Sequence, residues 1–177
     1  LTFHTNSGSV KTSMGSGILP IAKYHNKVYF LFGEECYLAL DGGWSDFGGA
    51  VEDNESIFDG AIREGYEETL GFFGNQSELK GLVSDNLISC IESDNYKSYM
   101  FQIDYCNKLP FYYNRNFNYV SKNIKNIIGQ NGYYEKKKIK WIDFYELEES
   151  INLFRNFYKP FIKTIINNFS VINEKLK

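Results

Sequence analysis

The chain is poor in the residues on which most metal, redox and nucleic-acid chemistry depends. Only two of its 177 residues are histidine and three are cysteine. His4 and His25 lie far apart, and no catalytic role is expected of either. Cys36, Cys90 and Cys106 form no CxxC pair and have no histidine cluster nearby, so they read as buried free thiols of a reducing compartment. A basic excess is also missing. The formal net charge is −3 and the pI about 5.5, which excludes a global positive field for nucleic acid; RNA would need a local patch. No apolar run is long enough to cross a membrane and no signal peptide is visible, so a cytoplasmic location is expected. No internal repeat is present.

Apolar bulk is not scarce. Hydrophobic residues make up 43% and aromatics 18% of the chain, enough for one packed core at this length. The stretch over 1–15, rich in Ser, Thr and Gly, reads as a flexible lead, and 16–177 as one domain. Strands are expected near 17–24 and 27–32 with a tight turn at His25-Asn26, then near 36–40, 44–47, 80–91, 96–105 and 138–142. Helix is expected over 56–70, in short pieces within 117–128 and 144–151, and from Lys159-Pro160 onward. There Phe161, Ile162, Ile165, Ile166 and Phe169 repeat at 3–4 spacing and read as core. The fold class is α/β (α+β).

The densest signal runs from Gly48 to Phe72: GGAVEDNESIFDGAIREGYEETLGF. On a helix, Glu64, Glu67 and Glu68 stand at i, i+3 and i+4 and share one face. Like charges at that spacing destabilise an isolated helix by a few tenths of a kcal/mol per pair, a repulsion that a cation among them would turn to use, against a plainer reading as a solvated helix face with ordinary ion pairs. Mg²⁺ and Mn²⁺ prefer oxygen ligands, and Mg²⁺ commonly bridges carboxylates to phosphates. Arg63 and Glu67 are i, i+4, and an arginine between Glu67 and the upstream Glu55 can fix both through bidentate hydrogen bonds. Phe58, Ala61, Ile62, Gly65 and Thr69 form the opposite, packing stripe.

The same stretch resembles the Nudix box: Gly, five residues, Glu, seven residues, Arg-Glu, an aliphatic residue, any residue, Glu-Glu, any residue, Gly, aliphatic. Gly49, Glu55, Arg63, Glu64, Glu67 and Glu68 fall in register. Leu70 stands where the box has Gly, with Gly71-Phe72 one position late, and Gly65 replaces the aliphatic residue. Gly65 reads as a close helix–sheet contact and Gly71 as the helix cap. The resemblance implies a Nudix-like α/β/α sandwich with a mixed sheet. It implies Mg²⁺ or Mn²⁺ held by Glu64, Glu67, Glu68 and the Gly49 carbonyl, with Arg63 and Glu55 orienting the acids. It also implies hydrolysis of a nucleoside diphosphate linked to another group, with Glu64 or a loop acid as general base. Glu135 is the loop acid chosen, and Glu92 the competitor.

The box does not name the substrate. A nucleotide-type small molecule is favoured. Capped RNA is the alternative, and diphosphoinositol polyphosphate and a non-catalytic binding module stay open. In the stretch 107–140, Tyr112, Tyr113, Phe117, Tyr119, Tyr133 and Tyr134 are candidates to stack a base. Lys122, Lys125, Lys136, Lys137 and Lys138 are candidates to attract phosphates, against a plainer reading as an insertion covering the core.

Overall fold

The computed structural model describes residues 1–5, 14–36, 41–93 and 95–177. Ten-residue β2 (Gly15–Tyr24) organises the sheet. One of its edges pairs in parallel with β7 (Tyr96–Gln102) over 15–21. The other edge is divided between two partners. The first half, 15–18, pairs with β5 (Phe47–Ala50), and the second half, 21–24, with β3 (Lys27–Glu35). The turn into β3 is made by His25 and Asn26, both at positive φ (48° and 60°), as a tight hairpin requires. β3 continues to β4 (Trp44–Ser45) and β8 (Lys136–Asp143), while β7 pairs with β6 (Leu87–Glu92).

Adjacent inward residues of the central strands face opposite sides. Ile18, Ala22 and Leu31 pack with Ala61 and Ile62 of α1 (Ile57–Glu68), with Leu79 and Val83 of α2 (Gln76–Asp85), and with Tyr113 of α3 (Lys108–Asn123). Leu19, Ile21, Phe30 and Phe32 pack with Phe161, Ile162 and Ile165 of a later helix and with Ile172 beyond it. Both faces are covered, so the strands read as near-continuous apolar runs. The result is the expected α/β/α sandwich on a mixed sheet.

Several elements depart from the sequence reading. The stretch read as a flexible lead starts with a strand, β1 (Thr2–His4), parallel to β6 with Phe3 buried; residues 6–13 lie outside the described residues. Of the strand expected at 36–40, residues 37–40 also lie outside them. The strand expected over 80–91 is replaced by α2 followed by the short β6. A capping box explains this: the Asn75 side chain accepts from the Glu78 amide, and the Glu78 side chain accepts from the Asn75 amide. The helical piece expected within 117–128 is the end of the longer α3. A 3₁₀ turn leads into α4 (Leu147–Ser150). The C-terminal helix is divided at Asn168 into α5 (Lys159–Asn167) and α6 (Phe169–Lys175). Among the described residues no helix is long and apolar enough to cross a membrane.

Candidate active site

α1 carries the acids. Its first turn is closed by Ser56, whose hydroxyl accepts from the Asp59 amide at 3.0 Å. Gly65 brings the helix onto the sheet: a Cβ there would collide with Ile18, so the aliphatic residue usual at this place in the box has no room. The helix ends at Glu68, and Leu70 follows in the left-handed region at φ 56°, where the box has glycine. An L residue there costs roughly 1–2 kcal/mol. Leu70 offsets part of this by packing half-buried against the α1 side of the core. Gly71 is left-handed too (φ 68°), so the late glycine extends the turn rather than capping the helix by itself.

Arg63 ties the acids together. Nε and Nη2 donate to the two Glu55 oxygens at 3.2 and 2.7 Å, and Nη2 donates to the Ala50 carbonyl at 2.8 Å. Nη1 donates to Glu64 at 2.9 Å and Glu67 at 3.3 Å. These five contacts match the five N–H donors of a guanidinium. The Arg63 hydrogen bond holds the Glu55 carboxyl below its ordinary range. Burial raises Glu64 and Glu67 instead, because Arg63 compensates their lost hydration only in part.

Two glycines admit the carboxylates. The Glu64 carboxylate lies against Gly49, where a Cβ would come within 2.5 Å of it, and Glu67 lies against Gly132 of the loop before β8. That loop delivers Glu135 to the same place. The Glu135 carboxyl is raised by burial and then by the charges of Glu64 and Glu35, and it makes no side-chain hydrogen bond or ion pair among the described residues. Glu92 points elsewhere; it pairs with Lys97 across β6 and β7 at 3.1 Å.

Glu68 differs from its neighbours. Its side chain is 2% exposed, one oxygen accepts from the Gly48 amide at 2.7 Å, and the other faces Lys136 Nζ at 3.4 Å. Lys136 is fully buried, pairs with Glu35 and donates to Ser45 Oγ at 2.9 Å. It is therefore not one of the solvated, phosphate-seeking lysines of the sequence reading. A run of three lysines hides the one that turns inward at the start of β8. The aromatics of the same region also divide: Tyr113 and Phe117 are core, Tyr133 and Tyr134 half-buried, Tyr112 and Tyr119 exposed.

A cleft of about 440 Å³ is lined by Gly48, Gly49 and Ala50 together with Arg155 and Phe157; it meets the acid cluster through Gly49, and no acid is among its lining residues. Sequence reasoning gave no sign of Arg155. It donates to Glu35 at 2.8 Å and its guanidinium lies 4.8 Å from the Phe157 ring centroid. Its Nε and the Thr5 hydroxyl, both on the cleft wall, are buried without a hydrogen-bond partner among the described residues. A larger cavity, about 1060 Å³, is lined by Phe72, Phe73, Gln102 and Tyr112 and holds none of the box acids.

Among the described residues no three His, Cys, Asp or Glu side chains stand ready as a metal cage. Arg63 pairs with Glu64 and Glu67, and Lys136 faces Glu68. The donor set is nonetheless all oxygen and suits a hard cation, and the missing Cβ at Gly49 lets the Glu64 carboxylate lie directly against the backbone there.

No protein-family model matches this sequence, and no curated protein matches it. Solved structures do. An Ap4A hydrolase of C. elegans, solved as a binary complex, is similar at a TM-score of 0.53 and 15% identity, over 90% of this chain and 98% of that one. The Nudix hydrolase RenU of M. smegmatis is similar at 0.53 and 10%, over 97% and 96%. A bifunctional NMN adenylyltransferase/ADP-ribose pyrophosphatase of Francisella tularensis, complexed with AMP and a Mn ion, is similar at 0.57 and 13%, over 91% of this chain and 43% of that one. At these identities the likeness establishes a shared fold: the chain has the fold of the Nudix hydrolases.

Proposed function

We propose that this chain is a divalent-metal-dependent hydrolase cleaving the diphosphate bond of a nucleoside diphosphate linked to another group. The observation that carries the reading is the gathering of Glu64, Glu67 and Glu135, close enough for their charges to act on one another, with Glu64 against Gly49, a glycine that lines the same cleft as Arg155.

Mg²⁺ or Mn²⁺ would be held by Glu64, Glu67 and the Gly49 carbonyl, with Glu135 beside them. Glu68 completes the acid set of the box, but joining an ion would require it to leave Lys136. Binding would also draw Glu64 or Glu67 from Arg63, whose remaining hold on Glu55 and Ala50 keeps the helix start in place. The bound ion would supply charge neutralisation for the diphosphate and a more acidic water. Glu135 is the base best placed to take that water's proton, because its carboxylate has no hydrogen-bond or ion-pair partner among the described residues and burial has raised its affinity for a proton. Water attacks phosphorus in line as the bridging P–O bond breaks, and the departing phosphate leaves as an anion.

Arg155 would meet a substrate phosphate as a charge-assisted donor. Phe157, 39% exposed and backed by that guanidinium, offers a ring on which a nucleobase can stack. These features favour a nucleotide-type small molecule over capped RNA, since of the six stacking candidates only Tyr112 and Tyr119 are exposed.

Nucleoside triphosphates, ADP-ribose, dinucleoside polyphosphates and capped RNA, each offered with Mg²⁺ and with Mn²⁺, separate the readings. Turnover of at least one small nucleotide is expected. Turnover of capped RNA alone would contradict the substrate class, and binding without turnover throughout would make the chain a binding module.

A further inference from the structure

Lys136 is an unusual resident for an acid cluster of this kind. Its side chain is 0% exposed, and Gly33 opens the space for its stem: a Cβ there would lie 2.8 Å from Lys136 Cγ. The ammonium reaches Glu35, Ser45 Oγ and Glu68, while Arg155 binds Glu35 from the cleft side. Two cations therefore face two buried carboxylates, Glu35 and Glu68. A buried ion pair is costly to break from one side, because the partner is left as an uncompensated charge. Glu68 is thus bound to a resident cation and to the Gly48 amide, whereas among the described residues Glu64 and Glu67 are held by Arg63 alone, at the partly exposed edge of the site.

We propose that Lys136 stands where a divalent ion would otherwise be needed at Glu68, so that the substrate-free chain holds one divalent ion, through Glu64, Glu67 and the Gly49 carbonyl, and Glu68 serves to position the Gly48-Gly49 turn. This rests on the metal-dependent reading of the site. Its consequence is chemical: the positive charge that faces Glu68 is a fixed ammonium, insensitive to metal concentration.

Titration of Mn²⁺ into the whole chain, with free Mn²⁺ followed by electron paramagnetic resonance, tests it without substrate. Wild type is expected to take up one tightly held ion. Glu68→Gln is expected to leave that affinity within about threefold, since the residue is not a donor to the ion. Lys136→Met is expected to gain a second Mn²⁺, because Glu68 is then the acid without a cation. If Lys136→Met does not fold, the wild-type stoichiometry and the Glu68→Gln affinity decide the matter. Two ions of similar affinity in wild type, a loss of more than about tenfold in Glu68→Gln, or a folded Lys136→Met that still takes one ion would overturn the role of Lys136 and leave the metal site standing. No uptake by wild type would overturn both.

Discussion

Glu67→Gln is expected to lower kcat/KM on the active nucleotide by roughly a thousand-fold or more while the chain stays folded. The change keeps the shape of the side chain and removes its charge. A metal ligand helps supply several kcal/mol of transition-state charge stabilisation, and each 1.36 kcal/mol is tenfold in rate. The structural cost is small by comparison. Glu67 accepts a single 3.3 Å bond from Arg63, at the partly exposed edge of the cluster, a contact worth about 1 kcal/mol or less. Steady-state kinetics beside a thermal melt make the distinction. Wild-type turnover with an unchanged metal requirement would remove Glu67 from the ligand set.

The second large effect concerns Asp46, which sits between β4 and β5 just ahead of the box glycines. It is 1% exposed and accepts hydrogen bonds from Ser98 Oγ at 2.6 Å and Tyr96 Oη at 2.8 Å. Burial pushes its carboxyl up to about 6, and the hydrogen bonds and the Lys136 charge only partly oppose this. The folded chain therefore keeps a proton that the unfolded chain releases near pH 4. This contribution to stability is full below the unfolded value and is lost as pH rises to about 6. The loss amounts to about 3 kcal/mol, at 1.36 kcal/mol per unit. Asp46→Asn, permanently neutral, is expected to remove it. Urea unfolding at pH 4 and pH 7 should then show a fall in wild-type stability that exceeds the variant's by about that amount. Parallel behaviour of the two proteins would mean that Asp46 is ionised throughout.

What the sequence made legible were the features carried by short spacing. The face shared by Glu64, Glu67 and Glu68, the Arg63 contacts to Glu55 and Glu67, the Gly65 approach to Ile18 and the His25-Asn26 turn all lie within a few residues of their partners or in a known register. The misread elements had local signals too. The Asn75–Glu78 cap marks α2, and Tyr113, Phe117 and Val120 at 4–3 spacing mark α3, but the apolar residues of α2 also suit a strand and the tyrosines of α3 drew attention as stacking candidates. The inner half of the site was not legible. Lys136 meets Glu35 from 101 residues away and Arg155 meets it from 120, and no period in the sequence links them. Such pairings follow from which strand lies beside which, here β8 beside β3, and that order is set by the whole sheet.

The central claim is that the acids of α1 act on a phosphoanhydride through a divalent ion. Hydrolysis of the active nucleotide should therefore fall to the background rate in excess chelator and return when Mg²⁺ or Mn²⁺ is restored, with an intact fold by circular dichroism throughout. Full turnover by the chelated protein would contradict it.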